Sequence, residues 1–297
     1  MIENKKYSIG NSSQTRATTR DCPYYNTMRH LMKHLKFLEG LNRTQQQELL
    51  ARIKVEWTFT SNALEGNTIS IGDTQFIIQY GLTIKGKSIQ EHNEVIAHAR
   101  AIDLVYDLLD KKSLEKSEIF NLHKAVQTQV VFDIYSPIGK WKNEDNGRYI
   151  KQKEGLVYKS YPKPEYIESL MQLWLAEFNS YTKLITQDDA LNAYTRLHLA
   201  FTSIHPFFDG NGRMARLLAN IPLLKNGFLP IVINNKNRQE YLGALAEYDL
   251  IAAELNQQTT KLIVENPAFE KLKAFFKTQY PNIQSLIDEI KVQNNKI

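Results

Sequence analysis

The chain has 297 residues, 42% hydrophobic and 23% charged, the proportions of a globular protein with enough material for a sizeable core rather than a disordered or collagen-like chain. No apolar run exceeds four residues, whereas a spanning helix needs about 20 and the core of a secretory leader about 7–15; the sequence therefore predicts neither and points to a cytoplasmic protein without a membrane partner. The single cysteine, Cys22, excludes an internal disulfide and a thiolate metal cluster, and the net charge of +5 is spread without a basic stripe, which disfavours nucleic-acid binding.

Residues 1–22 lack periodicity and are read as a flexible arm. From Tyr25 the apolar spacing becomes helical through Met28, Leu31, Met32, Leu35 and Leu38 and stops at Gly40. A longer helix over 44–65, with Thr44 as a cap, carries Leu49, Leu50, Ile53, Trp57, Ser61 and Leu64 at three/four spacing. Further helices are predicted through Val95–Leu109 and over 114–128, 165–180, 187–204, 212–225, 237–256 and 268–290, the last as one terminal helix. Pro222 should kink the helix that contains it. Residues 147–161 are β-prone around Lys153-Glu154-Gly155 and predict a hairpin. No internal repeat is present, so the expected architecture is all-α with one small β-hairpin.

The chemistry concentrates at His205-Pro206-Phe207-Phe208-Asp209-Gly210-Asn211-Gly212-Arg213-Met214-Ala215-Arg216. Two glycines let the backbone turn and approach a ligand, and a helix beginning near Asn211 offers unpaired N–H groups at its positive end. Arg213 and Arg216 add two guanidinium forks suited to phosphate oxygens, and Asp209 is a hard oxygen ligand of the kind that holds Mg²⁺ beside a polyphosphate. A nucleoside triphosphate with Mg²⁺ is the economical ligand. His205 can act as general base near neutral pH. The bland reading, a glycine turn between two helices, leaves the acid, the imidazole and both arginines unexplained.

This stretch resembles the signature of Fic-domain proteins, His-x-Phe-x-(Asp/Glu)-Gly-Asn-Gly-Arg-x-x-Arg, and matches it at His205, Phe207, Asp209, Gly210, Asn211, Gly212, Arg213 and Arg216. The resemblance implies a Fic-type helical bundle that moves AMP from ATP to a Ser, Thr or Tyr hydroxyl of a target protein. His205 would deprotonate that hydroxyl, Asp209 would hold Mg²⁺, the N–H groups of Gly210, Asn211 and Gly212 would hold the anion, and Arg213 and Arg216 the outer phosphates.

Upstream, Ser61-Asn62-Ala63-Leu64-Glu65-Gly66 resembles the inhibitory motif (Ser/Thr)-x-x-x-Glu-(Gly/Asn) that many such proteins carry. On that resemblance Glu65 pairs with Arg216 in the place of the γ-phosphate, and Ser61 braces Glu65. Taken alone, the pattern is also an ordinary i,i+4 polar pair followed by a glycine stop.

The family's flap, which pairs with a target segment, falls on Leu156, Val157, Tyr158 and Lys159; a plain packing hairpin is the alternative. Asn235–Leu245 resembles the segment that walls the adenine, with Tyr241 at its aromatic position, whereas Leu242 departs from the second aromatic found in many relatives. His30 with His34, Glu94 with His98, and His92, His123 and His198 read as ordinary polar positions of amphipathic helices rather than metal ligands. The expected division is an arm at 1–22, an N-terminal helical region at 23–114, the core at 115–266 and a C-terminal helix at 267–297. Competing activities are removal of AMP, transfer of another nucleotide or of phosphate from the same pocket, and an idle ATP-binding regulator. Self-modification and a homodimer stay open.

Overall fold

The structure is a computed structural model that describes residues 31, 33–127, 137–152 and 155–293. The expected arm, the start of the first predicted helix with His30, and Lys153-Glu154 of the hairpin turn lie outside the described residues.

Helix α1, Arg43–Leu64, begins one residue earlier than predicted because Asn42, not Thr44, caps it. Asn42 Oδ1 accepts from the Gln45 amide at 3.0 Å, and Gln45 Oε1 accepts from the Asn42 amide at 2.6 Å, a reciprocal box that satisfies two orphan donors. The segment before it differs from expectation. Lys36–Leu38 is a single 3₁₀ turn rather than α-helix, and Leu35 and Leu38 nevertheless reach the core.

Ile71–Tyr80 forms a helix, α2, that the sequence reading missed. Its exposed Ile71, Phe76 and Tyr80 blur the amphipathic stripe on which such a reading depends. The chain continues through α3 (Ile89–Asp107), α4 (Lys116–Val126), the antiparallel strands β1 (Gly147–Gln152) and β2 (Gly155–Ser160), α5 (Pro164–Ser180) and α6 (Gln187–Ile204). It ends with α7 (Asn211–Leu218), α8 (Asn220–Lys225), α9 (Arg238–Ile251), α10 (Pro267–Lys277) and α11 (Tyr280–Gln293). The fold is all-α with one hairpin, as predicted.

Two proline effects are visible. The predicted kink occurs at Ala219, where α7 gives way to α8, because Pro222 has no N–H for the Leu218 carbonyl and its ring crowds that oxygen. The predicted single terminal helix is instead α10 and α11, broken at Thr278-Gln279. Pro281 withholds a bond from the Lys277 carbonyl in the same way.

Helix α6 is the spine. Its inward stripe Leu191, Tyr194, Leu197, Phe201 and Ile204 is fully enclosed by the main core. Helix α7 touches α1, α3, α4 and α6, so its short polar first turn is embedded among apolar helices. That placement brings α1, remote in sequence, against the anion-site segment.

Candidate functional site

Helix α6 ends at His205, which has φ 51 and ψ 58 and is the one non-glycine residue with positive φ among the described residues. A β-carbon disfavours this backbone, so the surrounding structure must impose it. His205 Nδ1 lies 3.3 Å from the Thr202 carbonyl. A carbonyl only accepts, so Nδ1 carries the proton and Nε2 the free lone pair, the form a general base needs. The imidazole stacks on Tyr161 at 3.7 Å and 5°. Burial pushes its pKa down to about 3; the Lys142 and Arg148 charges act in the same direction, while the Thr202 bond and Asp209 oppose it. The base is therefore neutral at physiological pH.

The loop that follows is held from beneath. Phe207 is fully buried and lies flat on His123 at 3.7 Å and 3°. The Asn211 side chain clamps Phe207 twice: Oδ1 accepts from its amide at 2.9 Å, and Nδ2 donates to its carbonyl at 2.8 Å. Asn211 thus shapes the loop with its side chain, leaving only its backbone N–H for an anion. Gly210 has φ 80, a backbone that favours glycine, and a β-carbon there would press on the amide end of Gln127 at 2.6 Å, which would have to move. No side chain caps α7, and its first-turn amides stay available to a ligand.

The charged groups are engaged with one another. Arg213 Nη2 donates to Asp209 Oδ2 at 3.2 Å, and Nη1 to the Val126 carbonyl at 3.4 Å. Arg216 is almost fully enclosed, at 3% exposure, and donates from Nη2 to Glu65 Oε1 at 2.7 Å. The pairing of Glu65 with Arg216 expected from the sequence is present as geometry. The part assigned to Ser61 differs: its Oγ accepts from Arg216 Nε at 3.0 Å and its carbonyl from Nη2 at 2.9 Å. Ser61 orients the arginine rather than bracing the glutamate, because it stands one helical turn before Glu65 and faces α7. Glu65 Oε1 lies 2.5 Å from the point a Gly212 β-carbon would occupy, directly over the first turn of α7.

Tyr241 also departs from expectation. Only 2% exposed, it packs behind Arg216, and its hydroxyl meets His198 Nε2 at 2.9 Å. A ring so enclosed supports the arginine and offers no open face to a base. On the hairpin, Leu156, Val157 and Tyr158 are exposed and Lys159 half-buried, on the strand paired with β1 through Ile150 and Val157. Arg148 of β1 ties the hairpin to Asp249 of α9.

The Asp209 carboxylate is 58% exposed at the mouth of the site, with Oδ2 shared between Arg213 and, at 3.5 Å, Gln127. One exposed hard carboxylate beside free helix amides fits Mg²⁺, which takes one or two protein carboxylates and completes its shell with phosphate and water.

Sequence reasoning passed over several residues that build this site. His123 accepts from the Gly139 amide at Nδ1, 2.9 Å, and donates from Nε2 to the Asp209 carbonyl, 3.1 Å, beneath Phe207; burial lowers its pKa to about 4. Lys142, Asn146 and Tyr161 buttress His205. Nothing local in the sequence marks them, because each acts across tens of residues of chain.

The family model described as Fic/DOC matches residues 113–223. A protein adenylyltransferase, fic-1 of Caenorhabditis elegans, is 31% identical over 80% of this chain and 46% of its own length; the protein adenylyltransferase Fic of Nematostella vectensis is 32% identical over 62% and 40%. The chain thus spans less than half the length of these curated relatives. A Fic-domain-containing signaling protein of Bacteroides thetaiotaomicron superposes with a TM-score of 0.73 at 25% identity, over 89% of this chain and 97% of that one. With His205 to Arg216 arranged as described around the first turn of α7, residues 113–223 of the chain form a Fic/DOC-family domain.

Proposed function

We propose that this chain is a protein adenylyltransferase, moving AMP from ATP to a hydroxyl of a target protein, and that Glu65 restrains it. The observation that carries the reading is the grouping of a neutral His205, with Nε2 free, beside the uncapped first turn of α7 and its two arginines. The names of the relatives, protein adenylyltransferases, support the same activity.

On this reading His205 Nε2 takes the proton of the attacking hydroxyl. The hydroxyl oxygen bonds to the α-phosphorus, the bond to the β-phosphate bridge breaks, and pyrophosphate leaves. Amides of the first turn of α7 hold phosphate oxygens, and Arg213 and Arg216 take the charge that develops on the leaving group. Asp209 would hold Mg²⁺, which when bound supplies further charge neutralisation between the phosphates. Rate enhancement comes from positioning and electrostatics, without a covalent enzyme intermediate.

Glu65 Oε1 occupies the guanidinium that the outer phosphate needs. A carboxylate and a phosphate compete for one fork, so ATP can be held in a productive pose only when Glu65 withdraws. Glu65 stands at the C-terminal end of α1 with its side chain 45% exposed, where a small movement of the helix end frees it. The exposed edge of β2 would receive an extended target segment.

The test is intact mass after incubation with ATP and Mg²⁺, for the unaltered chain, Glu65→Gly and Glu65→Gly/His205→Ala. A gain of about 329 Da, one AMP on a hydroxyl, in Glu65→Gly alone is the expected result. If Glu65→Gly adds no AMP to itself or to proteins of a lysate, transfer is the wrong activity.

A further inference from the structure

His205 holds a backbone conformation its side chain disfavours, and contacts from two neighbouring segments impose it. The Lys142 amide donates to the Pro206 carbonyl at 2.9 Å, one residue after the histidine. Lys142 Nζ donates to Asn146 Oδ1 at 2.6 Å, which fixes the orientation of that amide and turns Asn146 Nδ2 to the Phe207 carbonyl at 3.3 Å. The Asn146 carbonyl accepts from the Tyr161 amide at 3.0 Å. Tyr161 lies flat on the His205 ring, and Lys142 Nζ stands 5.8 Å from the centre of the same tyrosine ring. The loop 139–146, the end of the hairpin and the histidine loop are thereby one unit.

Lys142 is the unusual member. It is buried, and among the described residues it makes no ion pair. Lysine is rarely enclosed without a carboxylate partner; burial lowers its pKa to about 8, opposed by Asp145. Surface packing explains none of this, because an apolar side chain would fill the space without the desolvation cost. What the ammonium does is orient Asn146 and place a positive charge beside the imidazole. The other charged groups acting on that ring are Arg148, itself paired with Asp249, which also opposes protonation, and Asp209, which favours it; the neutral Tyr161 covers it.

We propose that Lys142 and Tyr161 are positioning residues for His205. Tyr161 fixes the plane of the ring so that Nδ1–H stays on the Thr202 carbonyl and Nε2 stays free. Lys142 locks the loop through Asn146 and disfavours the imidazolium, which cannot act as a base. The inference rests on the reading of His205 as the general base, and it adds residues outside the His205–Arg216 motif to that function.

Two measurements test it independently. The first is the imidazole ¹⁵N shifts of His205, which report the tautomer without any transfer reaction, in the unaltered chain, Lys142→Met and Tyr161→Leu. The unaltered chain should show the Nδ1–H tautomer alone, and both variants a mixture. The second is kcat and KM for ATP from pH 5 to 9 in the Glu65→Gly background. Lys142→Met should lower kcat at least tenfold with KM within twofold and move the acidic limb to higher pH; Lys142→Arg should restore most of the rate. Tyr161→Leu should lower kcat with a smaller movement of the limb.

An unchanged tautomer in both variants, or kcat within twofold of the parent, overturns the proposal. So does a KM that rises tenfold at constant kcat, which would make Lys142 a nucleotide contact. If Lys142→Met does not fold, Tyr161→Leu decides by the same two readouts. If the Glu65→Gly parent transfers no AMP, it is the functional reading that has failed, and the ¹⁵N shifts still decide whether these residues position the ring.

Discussion

Glu65 and Arg216 stand 151 positions apart in sequence, and their side chains meet at 2.7 Å over the first turn of α7. The arginine is enclosed and the glutamate half-exposed, so the pair is a fixed cation with a movable anion. Removing the anion leaves a buried guanidinium still held by two bonds to Ser61 but without its charge partner, a site ready for another anion.

Glu65→Gly should therefore raise AMP transfer by at least tenfold and tighten ATP binding. Calorimetric titration with ATP checks the binding, and intact mass checks the transfer. Equal affinity in the two proteins would mean that Glu65 does not compete with nucleotide.

Asn211→Ala should be destabilising beyond its small change in volume. It removes both bonds to Phe207 and leaves its buried amide unpaired, while the carbonyl keeps only the longer bond from Asn146 Nδ2 at 3.3 Å, at about 1–3 kcal/mol for an unsatisfied group. Urea unfolding should show a loss of about 1–3 kcal/mol, and transfer should fall with it in the Glu65→Gly background. A midpoint unchanged by the substitution would show that water replaces the clamp.

Acid should weaken the fold through its buried histidines. Burial lowers the pKa of His205 and His198 to about 3 and of His123 to about 4, and that of His98 well below its usual value. The unfolded chain binds protons at these sites below about pH 6.5, where the folded chain does not. Stability is therefore fully present above pH 6.5 and declines as pH falls toward the folded values, by up to about 1.4 kcal/mol per pH unit for each histidine. Unfolding midpoints should hold from pH 7.5 to about 6.5 and then drop steadily to about pH 5, and His123→Gln should reduce the slope. A flat profile would place these rings in contact with solvent.

Leu156→Ser/Tyr158→Ser on the open strand should leave stability within about 0.5 kcal/mol, as expected for exposed positions. Modification of a target protein should fall at least fivefold in the Glu65→Gly background, with ATP binding unchanged. Undiminished target modification would show that the hairpin edge does not receive the target.

Much was legible because it is local. The period of apolar residues located the long helices, including the one over 187–204, and the missing N–H of Pro222 predicted a kink in its helix, which the structure puts at Ala219. The motif from His205 to Arg216 announced an anion site because its glycines, acid, imidazole and arginines sit within one turn and one loop. Local signals failed where exposure blurred them, as in α2, or where a proline beyond the apolar pattern decided the boundary, as Pro281 did between α10 and α11.

The tertiary structure alone decided which partners the motif has. Ser61 bonds Arg216 rather than Glu65, Tyr241 stands behind the arginine instead of facing a pocket, and His123, Lys142, Asn146 and Tyr161 converge on the histidine loop from three separate segments. A sequence fixes such types and spacings within an element, where bonds and helical pitch set the distances. Contacts across tens of residues depend on how the faces of α1, α4 and α6 pack about α7, and that packing is a property of the assembled core.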